Sequence, residues 1–132
     1  MSEDDLLTAV LDLARLLGVF SAHFRPARRQ GKDGRTRWET AVQGDGKGYP
    51  DLTLVGPAGL MFRELKSTSG TCSPEQAAWL AQLTAAGADT GVWRPADLKS
   101  GRIESELRAL AGKSVAGVAG RATANRKPAW MK

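Results

Sequence analysis

The apolar and polar positions along the chain divide it into segments of two different periods. Between Ser2 and Leu17, Leu6, Val10, Leu13 and Leu17 recur at spacings of three and four, and Leu7, Leu11 and Ala14 widen the stripe. That pattern predicts an amphipathic helix with Ser2 as N-cap and Asp5 at its third position, ended by Gly18. Val19 to Arg25 reads as a short strand closed by Pro26. From Pro26 to Pro50 the composition turns to Gly, Arg, Lys and Gln, and only Trp38 to Val42 is patterned to pair or fold back. Loops of that length in small domains are functional or mobile.

Two apolar runs, Asp51–Val55 and Leu60–Lys66, flank Gly56-Pro57-Ala58-Gly59 and predict a β-hairpin. Both are apolar almost throughout, as in strands covered by helices on both faces. Ser73-Pro74-Glu75-Gln76 opens a helix with a capping box, which carries Ala77, Leu80, Ala81 and Leu83 and ends near Gly87. Thr90 to Trp93 forms a strand, Arg94-Pro95 stops it, and Ile103, Leu107 and Leu110 make one face of a last helix. The order helix, strand, long loop, hairpin, helix, strand, helix predicts an α/β fold around a small mixed sheet. Residues 1–111 are expected to form this domain, and 112–132 a basic tail disordered in isolation.

Composition narrows the picture modestly. A chain of 132 residues, 42% hydrophobic, suits one domain. The single Cys72 and the acidic start, Glu3, Asp4 and Asp5, predict a reducing, cytoplasmic setting without an export signal. No apolar run approaches the roughly 18 residues that span a bilayer, so no membrane association is expected. Of the 19 basic residues, five (Lys113, Arg121, Arg126, Lys127, Lys132) follow Gly112, where no acidic residue occurs. The rest of the chain is formally neutral. A second basic cluster, Arg25, Arg28, Arg29, Lys32, Arg35 and Arg37, is interrupted only by Asp33. Two basic patches on a neutral body suit a polyanion such as nucleic acid, and equally suit a solvated loop and tail.

The chemistry lies in the hairpin. Glu64 and Lys66 share a strand face, and antiparallel pairing brings Asp51, at the head of the first strand, to the same edge. Two carboxylates so placed repel each other, and a hard divalent cation such as Mg²⁺ relieves that repulsion. A neighbouring ammonium then orients a water and stabilises charge on a phosphate. The bland alternative is a surface pair, Glu64 with Lys66, beside a turn residue, Asp51.

The motifs Gly48-Tyr49-Pro50-Asp51-Leu52, Glu64-Leu65-Lys66, Gly70…Ser73-Pro74-Glu75-Gln76…Trp79-Leu80 and Ala85-Ala86-Gly87-Ala88…Val92-Trp93-Arg94-Pro95 resemble, in this order, the virus-type replication-repair nuclease (VRR-NUC) family. The resemblance covers roughly residues 3 to 110. It implies a restriction-endonuclease-like PD-(D/E)XK core of the kind found in small phage proteins. It also implies a Mg²⁺- or Mn²⁺-dependent endonuclease that uses a metal-activated water on flap, fork or four-way (Holliday) junction DNA. Carried over, Asp51, Glu64 and the Leu65 backbone carbonyl would hold the metal, and Lys66 would position the attacking water. Gln76 would be the family's polar residue on the following helix, a role it shares with the capping box. The family's first-helix Glu has Asp5 as its nearest counterpart, reaching the metal through water or simply favouring the helix N-terminus. Leu7 and Ala9 stand where the family places a Gln.

Arg25, Arg28, Arg29, Lys32, Arg35, Arg37, Arg94 and His23 are the candidate DNA contacts, His23 equally suiting a structural role. Trp79 and Trp93 are expected in the core; Trp38 and Trp130 suit base stacking or anchoring a partner. A symmetric junction has two scissile strands, so a homodimer is expected for junction cutting. If phage-encoded, the protein would act in the host cytoplasm. Two competing readings remain: a noncatalytic DNA-binding module of the same fold, and a nuclease active only within a larger replication or recombination complex.

Overall fold

A computed structural model describes residues 1–24, 27–30, 32–39 and 44–113. The first helix, α1 (Glu3–Leu16), starts at a complete capping box in which the Ser2 side chain accepts from Asp5 N and the Asp5 carboxylate accepts from Ser2 N. Its buried residues are Leu6, Leu7, Val10 and Ala14, and Gly18, at a φ of +75°, turns the chain into β1 (Phe20–His23).

The predicted long loop contains structure of its own. Strands β2 (Ala27–Gln30) and β3 (Thr36–Glu39) pair antiparallel as a separate ribbon, with Arg28 opposite Trp38 and Arg29 opposite Arg37. A ribbon bonded through its backbone needs no apolar alternation, and the pattern therefore concealed it. The expected strand from Trp38 instead begins at Thr36, and residues 40–43 lie outside those described. At the turn Asp33 Oδ1 accepts from Arg35 N at 3.0 Å, and Gly34 takes a φ of +79°.

The hairpin forms as expected from β4 (Leu52–Gly56) and β5 (Gly59–Leu65), joined by the two-residue turn Pro57-Ala58. Helix α2 (Pro74–Ala85) then leads to β6 (Asp89–Trp93), which pairs parallel to β5. Two helices follow, α3 (Pro95–Lys99) and α4 (Arg102–Leu110), where the pattern predicted one. The main sheet has the order β1-β4-β5-β6, a mixed four-stranded sheet in an α/β fold.

One face of this sheet, bearing Leu52, Leu54, Met61, Leu65 and Trp93, packs on α1 and on Ile103, Leu107 and Leu110 of α4. Each such side chain contributes about 1.5–3 kcal/mol by leaving water. Gly56 lies against the Leu110 carbonyl, which leaves no room for a Cβ. Arg63 is buried on this side, paired with Asp89 at 2.9 Å and Glu106 at 2.7 Å and lying over the Trp93 ring.

The second face departs from expectation. Helix α2 is its cover, and none of its residues is fully buried. Leu80 and Leu83 are half-buried, and Trp79 packs against Tyr49 rather than entering the core. Phe20, Val55 and Leu60, aligned across three strands, remain 82%, 42% and 47% exposed. The apolar hairpin thus has one face buried by two helices and the other only partly covered.

Candidate metal centre and active site

The site lies at the end of the hairpin opposite its turn. Leu52 pairs with Arg63, so one step further Asp51 stands opposite Glu64. Pro50 is fully buried. Gly48 adopts a φ of +86°, and a Cβ there would meet the Glu75 backbone at 2.6 Å, so the chain before Asp51 presses on the start of α2. Asp51 Oδ2 accepts from Leu65 N at 2.8 Å, which fixes the carboxylate across the strands.

Glu64 is 1% exposed. Its Oε1 accepts from Gln76 Nε2 at 3.0 Å, while its buried Oε2 has no hydrogen-bond partner. Burial first, then the neighbouring Asp51 carboxyl, push the Glu64 carboxyl up to about 9, against the opposing pull of Lys66. Two carboxyls in this state need a shared proton or a cation between them.

Gln76 closes the cap of α2 and also reaches the hairpin. Its Oε1 accepts from Ser73 N at 2.9 Å, closing the capping box, and from Lys66 Nζ at 2.8 Å. Its amide nitrogen meets Glu64, so the cap of α2 bridges Lys66 to Glu64, whose Nζ and Oε1 atoms are 3.8 Å apart. Two donors converging on one atom settle the orientation of the amide. The Lys66 backbone is tied to β6 by its N–H to Trp93 O at 3.0 Å.

The structure redistributes the first-helix candidates. Asp5 is exposed and engaged in the N-cap, whose Ser2 hydrogen bonds hold its carboxyl below the usual range. Glu3 instead feels the site: partial burial first, then the charge of Asp51, raise its carboxyl, while Lys66 pulls it down. The helical phase carried part of this signal, because Glu3, though exposed, precedes Leu6 by three and Val10 by seven and so stands at the end of the stripe they form. Among the described residues, no three His, Cys, Asp or Glu side chains gather closely enough to hold a metal ion. Asp51 and Glu64 are the carboxyls that meet.

The proposed DNA contacts divide. Lys32 and Arg35 are exposed at the ribbon turn, while Arg28, Arg29 and Arg37 stand at paired positions of β2 and β3. Arg25 lies outside the described residues, as does the chain from 114 onward, including Trp130. Arg94 donates from Nη1 to Ser67 O and Gly70 O, both at 2.7 Å, and so braces the loop that follows Lys66. His23 pairs with Leu52 and shares its face of the sheet, the opposite one to Asp51 and Glu64.

A mixed sheet flanked by helices, with Asp51 heading one strand of a hairpin and Glu64-Leu65-Lys66 ending the other, defines a nuclease core of the PD-(D/E)XK type. Within that class the VRR-NUC domain profile matches residues 25–97, more than half of the chain, and the protein belongs to this family. The matched stretch contains Asp51, Glu64, Lys66 and Gln76 and excludes α1. No curated protein and no solved structure gives a significant match. Membership makes the chain a nuclease-family protein that binds DNA. Among the described residues, no helix is long and apolar enough to cross a membrane.

Proposed function

We propose that the protein is a Mg²⁺- or Mn²⁺-dependent endonuclease that hydrolyses phosphodiester bonds in branched DNA, of flap, fork or four-way junction type. The observation that carries this reading is Glu64 Oε2, a buried carboxylate oxygen without a partner beside a second carboxylate. Leaving such a group unsatisfied is costly, and a hard cation supplies what it lacks. The donor set fits: Asp51 and Glu64 would hold the ion with the Leu65 carbonyl and water, while the exposed Glu3 of α1 would only add negative charge to their surroundings. When bound, the ion would supply Lewis-acid stabilisation of phosphate charge and ease deprotonation of water.

The remaining chemistry belongs to the chain. Lys66, held by Gln76 Oε1, keeps its ammonium at the site edge, where it orients the attacking water and offers charge to the phosphate. Gln76 holds Lys66 and Glu64 apart at a bridged distance, so neither side chain collapses onto the other. Direct hydrolysis needs no covalent nucleophile. The basic β2–β3 ribbon would contact the DNA backbone through Arg28, Arg29, Lys32, Arg35 and Arg37. A homodimer would present two such sites to the paired scissile strands of a junction.

The test is cleavage of linear, flap, fork and four-way DNA with Mg²⁺ or Mn²⁺, by wild type and by Lys66→Ala. The expected result is cutting of branched substrates that falls at least 100-fold in the variant, with unchanged circular dichroism. Binding without cleavage in either metal would refute the reading and leave a noncatalytic DNA-binding module.

A further inference from the structure

One aromatic side chain at this edge has no structural use for its exposure. Phe24 follows β1 directly. His23 pairs with Leu52, so the next residues along the two strands are Phe24 and Asp51, and the next pair across the hairpin is Asp51 and Glu64. Phe24, Asp51 and Glu64 therefore form one row across three strands, on one face. Neighbouring strand backbones run roughly 4.8 Å apart, which is the step from the Phe24 backbone to that of Asp51. That is the scale on which a nucleotide separates its phosphate from its base.

Phe24 is 52% exposed, yet it is held. Its ring meets Tyr49 edge to face at 5.8 Å, and Tyr49 in turn meets Trp79 at 5.1 Å and Phe62 at 6.3 Å. The Tyr49 hydroxyl shares a 3.1 Å hydrogen bond with Thr53 Oγ1, and Trp79 Nε1 donates to Asp45 O at 2.8 Å. These contacts fasten an aromatic shelf running from Trp79 under the Asp51 loop to an open ring at the sheet edge. Three residues beyond Phe24 the basic ribbon begins at Ala27.

We infer that Phe24 is a stacking site for an unpaired nucleobase next to the scissile phosphate, which gives the enzyme its preference for DNA with single-stranded character. The inference rests on the nuclease reading of this edge and adds the substrate feature that the edge recognises. A base inside a duplex is stacked on both sides and has no free face for the ring; a base in a flap or at a fork has one. Stacking tolerates any sequence, because every base has a π-face. The carboxylates and Lys66 locate the phosphate, and Phe24 selects strands whose neighbouring base is free.

The test is a cycle between protein and DNA, read by fluorescence anisotropy without divalent cation so that nothing is cut. A labelled fork has each nucleotide of its single-stranded arm replaced in turn by an abasic residue. Wild type is expected to lose affinity on the order of tenfold at one position. Phe24→Leu should bind the intact fork more weakly by the same factor and show no further loss at that position, and Phe24→Trp should restore the sensitivity. Phe20→Ser serves as the control: Phe20 lies on the same face four residues earlier, is 82% exposed, and should leave the abasic profile unchanged. A Phe24→Leu protein that keeps the full abasic penalty overturns the inference. So does a wild type without a sensitive position, or a Phe24→Leu variant that sediments as a smaller species than wild type, which would assign the ring to contact between copies. A wild type that shows the coupling but cuts no branched DNA would overturn the nuclease reading alone. One that cuts while Phe24→Leu matches it on every substrate overturns the stacking alone.

Discussion

Glu64→Gln isolates the charge problem at the centre of the site. In the cation-free protein the Glu64 carboxyl sits near 9, against an ordinary value of 4.5, because it is buried and faces Asp51. A carboxyl raised in the fold binds its proton more tightly there than in the unfolded chain. Its contribution to stability is therefore complete below pH 4.5 and is lost as the pH rises towards 9. At 1.36 kcal/mol per unit, the interval corresponds to a loss on the order of 6 kcal/mol. Chemical denaturation across pH 5–9 without divalent cation should show wild type weakening steadily, while Glu64→Gln, neutral throughout, holds a flatter profile. A cation must displace the proton, so at pH 7 calorimetry in buffers of different ionisation enthalpy should find close to one proton released per Mg²⁺ or Mn²⁺ bound. Apparent affinity should rise about tenfold per pH unit until Glu64 ionises. Parallel stability profiles for the two proteins, or cation binding without proton release, would refute the reasoning.

Ser73→Ala removes the cap alone and should cost about 1 kcal/mol in denaturation. Gln76→Ala keeps the bond from its backbone N–H to the Ser73 hydroxyl but removes the return bond from Ser73 N and the bridge between Lys66 and Glu64, so it should cost about 1–3 kcal/mol and abolish cleavage that Ser73→Ala retains. Gly48→Ala meets both a φ of +86° and the backbone of α2; it should lose at least about 2 kcal/mol, visible as a melting temperature lower by roughly 5 °C or more. Glu3→Ala should weaken cation affinity in calorimetry without touching the helix cap. Asp5→Ala should lower thermal stability and leave cation affinity unchanged, and the opposite pattern would return the first-helix role to Asp5.

Local features were legible in the residues because their causes are local. The two capping boxes, at Ser2 and Ser73, need only four consecutive residues each. The hairpin needs two apolar runs and a turn of two residues between glycines. Antiparallel register then makes the meeting of Asp51 and Glu64 a matter of counting. The ribbon of β2 and β3 and the short helix α3 escaped because neither has an apolar period long enough to show. Continuous apolarity in the hairpin suggested cover on both faces, whereas Phe20, Val55 and Leu60 stand partly in water.

The sequence by itself therefore determined the α/β order, the helix caps and the placing of Asp51, Glu64 and Lys66 at one edge, since each follows from spacing along the chain. Only the tertiary structure decided that Glu3 rather than Asp5 shares the field of Asp51, and that Arg94 braces the loop after Lys66. It also decided that Gln76 joins a helix cap to two charged side chains, and that Phe24 stands in the row of the carboxylates. Those relations depend on how α1, α2 and the edge strand pack against the hairpin. Burial, the source of Glu64's raised carboxyl, is set by neighbours distant in the chain.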